Sequence, residues 1–191
     1  MGNMKTIIPV VSLMISILAF SGTLFIYAIT RRRENYQNLL QRISSYSIPE
    51  MHTAVSRLRN LYRDNGDPAF IDKYIKIMKT EKTKFKSIRL ADQMEYQLTT
   101  LHYQRKIVSS FYRGLAILLK NGLIQKKATF QYWTRDDVDI VVKIIIPIEN
   151  RLGADLHLSG LNPKTDLLYY IAKLRNRFLD NVDTVLFMKQ I

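Results

Sequence analysis

Cysteine is absent from all 191 residues, which excludes disulfide frameworks, thiolate zinc sites and cysteine nucleophiles together and leaves the compartment open. Histidine is scarce: His52, His102 and His157 stand too far apart for an H-x-x-x-H pair or an H-E-x-x-H helix, so no metal is expected. No P-loop, G-x-G-x-x-G, G-x-S-x-G or helix-turn-helix signal occurs, and no cofactor is expected. Gly/Ser-rich and proline-rich linkers are missing, as are internal repeats, so nothing divides the chain after its first segment. Acidic residues are absent until Glu34.

What stands in that acid-free region is decisive. Ile7 to Ile29 carries no charged side chain and is closed at once by Arg31, Arg32 and Arg33. At about 1.5 Å per helical residue the run is about 34 Å long, enough to cross a hydrocarbon core of about 30 Å. In lipid the backbone must satisfy its own hydrogen bonds, so the run is expected to be one transmembrane helix. Pro9 falls near its first turn, where a missing N–H costs little. Ala19-Phe20-Ser21 makes a poor cleavage site and the apolar run continues past it, so a retained anchor is expected in place of a cleaved signal peptide. Met1-Gly2-Asn3-Met4-Lys5-Thr6 fits the short myristoylation pattern, which a following span makes redundant. Only Lys5 and the amino terminus precede the run, whereas the arginine triplet and Arg42 follow it. Basic flanks stay on the cytoplasmic side, so the N-terminus is expected outside and the remainder inside. The expected division is a membrane anchor over residues 1–30 and a helical cytoplasmic domain over 31–191.

All Lys and Arg except Lys5 lie in that second part, within a total of 29 Lys+Arg against 16 Asp+Glu and a net charge of +13. Each basic side chain held near an anionic leaflet is worth about 1 kcal/mol. The lipid bilayer and its anionic head groups are therefore the expected partners, and nucleic acid is not. Arg31, Arg32 and Arg33 are the expected contacts beside the anchor. Lys73, Lys76, Lys79, Lys82, Lys84 and Lys86 are those of the domain.

The fold class expected is all-α, one transmembrane helix and then about five to six helices. Tyr36, Leu39, Leu40, Ile43 and Tyr46 make a stripe that continues the anchor. Ser47 and Glu50 read as a capping box for a helix carrying Met51, Ala54, Val55 and Leu58, ended by Asn65-Gly66-Asp67-Pro68. Phe70 to Lys79 reads as an amphipathic helix and 80–87 as a basic loop. One long helix is expected from about Ile88 to Lys120, with Asn121-Gly122 as its C-cap. Thr134 and Asp137 form a capping pair for a helix through about Glu149, bent or ended by Pro147; its β-branched run at 138–148 admits a strand, but one strand makes no sheet. A loop is expected over 150–162, and Asn162-Pro163 opens a last helix with Leu167, Leu168, Ile171 and Leu174.

The stretch from Lys106 to Ile124, with Trp133 and Pro147 beyond, resembles a family of small microbial proteins catalogued as a domain of unknown function. The likeness in motif covers about 106–149. It implies an N-terminal anchor, a short basic stretch and a helical domain, and it carries no catalytic residues. Separately, Arg151 and His157, five residues between them, resemble the active-site motif of the HEPN ribonucleases, which would make a membrane-tethered RNA-cleaving enzyme. Asp136, Asp137 and Asp139 are read as helix-start residues, since the positive end of a helix dipole favours them. Phe130, Tyr132 and Trp133 are read as core. A non-catalytic, membrane-anchored role is the expectation these readings add up to.

The charge flanks make topology testable. Protease added outside intact cells should leave the C-terminal domain uncut, and its digestion there would reverse the orientation.

Overall fold

A 43-residue helix, α1 (Met4–Tyr46), opens the chain. The computed structural model describes residues 4–155 and 161–179, with side chains at 13–153 and 161–179, and all regular structure among these residues is helical. Every side chain from 13 to 34 is exposed, including Phe20 and Phe25, so among the described residues nothing covers this stretch of α1. The helix is long and apolar enough to cross a membrane. It runs without a break past residue 30, and its last turns behave differently: Leu39 and Tyr46 are buried in the core.

After α1 come α2 (Pro49–Asn65), α3 (Ala69–Ser87), α4 (Leu90–Thr99) and α5 (Leu101–Lys120). Then follow α6 (Lys126–Tyr132), α7 (Arg135–Ile140), a π-helical turn over Val141–Ile145, α8 (Ile146–Asp155) and α9 (Leu167–Phe178). α5 is the central post, packed by α2, α3, α4, α9 and the π turn. Leu101, Val108, Tyr112, Leu115 and Leu119 recur at three- and four-residue spacing and are buried. Tyr46 closes the core from α1, its ring 5.3 Å from Phe111 and 6.0 Å from Trp133 between centroids. Trp133 is 1% exposed and Phe130 is buried, as expected, whereas Tyr132 is exposed.

At Gly114 the Arg42 side chain of α1 lies against α5. A Cβ there would collide with the Arg42 side chain, whose guanidinium carbon lies 5.9 Å from the Phe111 ring centroid. At the other end of α5, Gly122 takes φ of 68° and Leu123 N donates to Leu118 O at 2.9 Å, the reversal a helix end uses to satisfy its last carbonyls.

Several boundaries differ from the sequence reading, each for a local reason. Ser47 is not the cap of α2: its hydroxyl donates back to Ile43 O at 2.9 Å, finishing α1, and Ile48 precedes Pro49 without a side-chain cap. The expected loop at 80–87 is the second half of α3. Glu81 and Phe85 extend its half-buried stripe, and the Thr80 and Thr83 hydroxyls fold back onto the carbonyls of Lys76 and Lys79. The expected helix from Ile88 to Lys120 is two. Thr100 is extended (φ −72°, ψ 146°) and its hydroxyl accepts from Tyr103 N, while both Glu81 carboxylate oxygens accept from Leu101 N at 3.0 Å. A cap and a carboxylate on its first donors start α5 afresh.

Pro147 neither ends nor breaks its helix. Without an N–H, and with a ring that crowds the carbonyl four residues back, it needs a wider turn before it. The π turn supplies one, Ile146 N–H reaching Val141 O. α8 then continues to Asp155 through Gly153, where a loop was expected. The last helix opens at Leu167, capped by Asp166, whose carboxylate accepts from Leu168 N at 2.8 Å; Asn162 caps only the preceding turn.

Tyr46→Ala removes the ring joining α1 to the core and should cost about 3–5 kcal/mol, read by urea titration of a fragment spanning 31–191. A loss under about 1 kcal/mol would show that the end of α1 is not part of the domain's core.

Candidate functional site

Two charged surfaces and three buried ionic clusters are the features from which a function can be built. The first surface is the collar at the end of the apolar half of α1. Arg31, Arg32 and Arg33 are all exposed, and Arg31 Nη1 donates to Tyr27 Oη at 3.4 Å one turn back. A tyrosine and arginines at this position suit the boundary between hydrocarbon and head groups. The collar is tied to the C-terminal end of α5. Asn38 donates to Leu123 O at 3.2 Å, and turning the Asn35 amide places its nitrogen 2.8 Å from the same carbonyl.

The second surface is α3. Lys73, Lys76, Lys79, Lys82, Lys84 and Lys86 are all exposed. At about 100° per residue they spread over one broad arc of about 200°. Lys76 and Lys79 lie nearest its centre, opposite Phe70 and Tyr74, which are buried. Lys73 and Lys76 border a shallow groove with Ile77, Thr80, Glu81 and Tyr96.

The collar and the lysines stand at opposite ends of the molecule. Arg31, Asn35 and Asn38 meet the Gly122–Leu123 end of α5, whereas Glu81 of α3 holds its first residue, Leu101. The 20 residues of α5 put about 30 Å between those ends. α3 runs on past Glu81 to Ser87, about 9 Å farther. Exposed charges act over about 8 Å at physiological ionic strength.

α4 is the element that the sequence reading missed. None of its residues is buried. Met94 and Leu98, expected among the apolar positions of one long helix, are 75% and 46% exposed, and Leu90 is 84% exposed. The four-residue spacing was visible in the sequence. Which side of that row faced the core was not, because the break at Thr100 frees α4 from the direction of α5.

The ionic clusters are structural in their geometry. Asp137 completes a capping box with Thr134, and Arg59 donates to Asp136 O at 2.8 Å beside it. Tyr112 Oη donates to Asp137 O at 2.5 Å; burial, then the charge of neighbouring groups, pushes its pKa well above the ordinary phenol value. Asp139 is not a cap but a bridge, 2.6 Å from Arg175 Nη2 and 2.7 Å from Lys143 Nζ. Burial alone would raise its pKa; hydrogen bonds and charge from Lys143 and Arg175 outweigh this and hold it below the ordinary value. Arg105 of α5 pairs with Glu149 of α8, both largely buried. Burial, then Arg105 and Lys106, lower the pKa of nearby His102, and burial pushes Tyr74 up to about 12. Tyr74, His102, Arg105 and Glu149 come from three helices, yet Arg105 spends its charge on Glu149 inside the packing.

Arg151 is exposed on α8; His157 lies outside the described residues, so the Arg151–His157 pairing has no geometry to report. Among the described residues no group of three or more acidic or histidine side chains is placed to hold a metal. His52 is exposed beside the Tyr46 ring, at 6.1 Å between centroids. No protein-family model, curated protein or solved structure matches the chain.

Asp139 gives a pH prediction. Its depressed pKa contributes stability that is fully present above the unfolded value, about 3.9, and is lost as pH falls through the lower folded value. Asp139→Asn removes the carboxylate that accepts from both Arg175 and Lys143 and should cost about 1.5–3 kcal/mol at neutral pH. It should also flatten the acid limb of a stability-against-pH curve, and an unchanged limb would show that Asp139 does not drive it.

Proposed function

We propose that this chain is a single-pass membrane protein with its N-terminus outside and its helical domain cytoplasmic, acting without catalysis as an anchored interaction module. The observation that carries the reading is the split in α1. Its apolar half is exposed on every side while its last turns are core, so the helix belongs to a bilayer at one end and to the domain at the other. Arg31, Arg32 and Arg33 bind anionic head groups of the anchoring leaflet, each contributing about 1 kcal/mol and together setting the depth of the span.

The lysines of α3 serve a different contact. A span tilted by about 20°, or even about 40°, still carries the far end of α5 well beyond one screening length from its own leaflet. Lys73, Lys76, Lys79, Lys82, Lys84 and Lys86 therefore form a binding surface for an acidic target held away from the anchor. The buried ion pairs stiffen the domain that presents it.

Full-length protein held in neutral-lipid nanodiscs should bind acidic liposomes, and raising the ionic strength from about 0.1 M to about 1 M, which shortens screening from about 10 Å to about 3 Å, should release it. Replacing the six lysines with glutamine should abolish binding without loss of helicity, because the face of α3 that packs uses Phe70, Tyr74 and Ile75. Binding that ignores both salt and substitution would remove the basic surface from the account.

A further inference from the structure

We propose that the tip of the α3–α4 hairpin is a second membrane-binding element, which seats on an anionic bilayer other than the one holding α1, so that the protein bridges two membranes. The inference rests on the reading of α3 as an acidic-target surface and names that target.

Leu90, Met94 and Leu98 form a row along one side of α4, four residues apart, with Leu90 at the tip and the most exposed of the three. Gln93 and Tyr96 are the half-buried side chains of the helix and face the opposite way, Tyr96 into the groove beside Lys73 and Thr80. Asp92 and Glu95 sit about 100–160° round the helix from the centre of the row, so the acids of α4 point away from whatever the row meets. Basic side chains rim the tip instead: Lys86 and Arg89 are exposed and form no ion pair among the described residues, while Lys84 lies over the Tyr96 ring, 5.5 Å from its centroid. Apolar side chains beside exposed cations complement an anionic lipid surface, in which the row enters the acyl boundary and the cations meet phosphates.

Charge sets the target: Lys86 and Arg89 beside the row match a surface of anionic head groups, whereas a protein groove receiving the same ridge would leave anionic vesicles uncaptured. Distance decides against the anchoring bilayer. The tip lies beyond the start of α5, about 30 Å from the collar along α5 and about 9 Å farther along α3, with no linker in the described chain to let it fold back.

The test uses full-length protein in neutral proteoliposomes mixed with labelled free vesicles, either pure phosphatidylcholine or phosphatidylcholine with phosphatidylserine, and reads vesicle capture by co-flotation. Capture of the anionic vesicles, and at least about tenfold less of the neutral ones, is expected. Leu90→Gln, Met94→Gln and Leu98→Gln together should lower anionic capture by about tenfold or more. These side chains are exposed, so circular dichroism and melting should be unchanged, and a variant that unfolds is replaced by Met94→Gln alone. Undiminished capture by the glutamine variants overturns insertion of the row. If the lysine-to-glutamine variant then loses capture, the electrostatic surface stands without the second membrane element. If that variant also captures normally, the basic surface itself is wrong. No capture of anionic vesicles by the unaltered protein overturns the bridge.

Discussion

One helix has to satisfy two surroundings at once. Between residues 13 and 30 α1 exposes uncharged, mostly apolar side chains in every direction, which in water present a large hydrophobic area and which hydrocarbon accommodates. Its second half offers Leu39 and Tyr46 to one side only, and that side is filled by α5 and Trp133. Arg31, Arg32 and Arg33 mark the change between them. Because the helix is continuous, the domain has no hinge at this point, and whatever fixes the direction of α1 also fixes the direction of α5 beside it. The distance between the collar and the α3 lysines follows from that coupling.

The domain's interior combines ordinary apolar packing with buried ion pairs that tie its later helices to its earlier ones. Arg105 and Glu149 link α5 to α8 and Asp139 and Arg175 link α7 to α9, while the partly exposed pair of Arg113 and Asp166 joins α5 to the start of α9. The buried pairs add little net stability over apolar packing, but removing one partner is costly because the other charge is left buried. They favour one register of helices over alternatives of similar apolar content. The widened turn before Pro147 belongs to the same design: it lets α8 continue on a line that carries Glu149 to Arg105.

Much of this was legible in the chain. The bilayer-length apolar helix, the all-helical class, the Thr134–Asp137 capping box, the Gly122 reversal and the buried Trp133 follow from run length, period and local hydrogen-bonding chemistry, which act over a few residues. The misread boundaries share a cause. Ser47 could cap forward or bond backward, and only the carbonyl it reaches decides. Residues 80–87 have few apolar side chains, yet Glu81 is held in place by a backbone N–H that is 20 residues away in sequence. Thr100 was one threonine in a helical pattern until that same carboxylate supplied its neighbour with an acceptor.

Sequence by itself determined that the chain has one bilayer-length helix, that helices follow it, and that its excess charge is positive, because hydrocarbon thickness, helical period and formal charge need no partner. Only the tertiary structure decided where those charges go. Six lysines on a short stretch of sequence share one broad face of α3, and the antiparallel run of α5 against α1 carries that face away from the arginines. Leu90, Met94 and Leu98 carry the same apolar signal as a core stripe. Their exposure depends on which face of α4 the turn at Thr100 leaves outward, and that is set by contacts between residues distant in the chain.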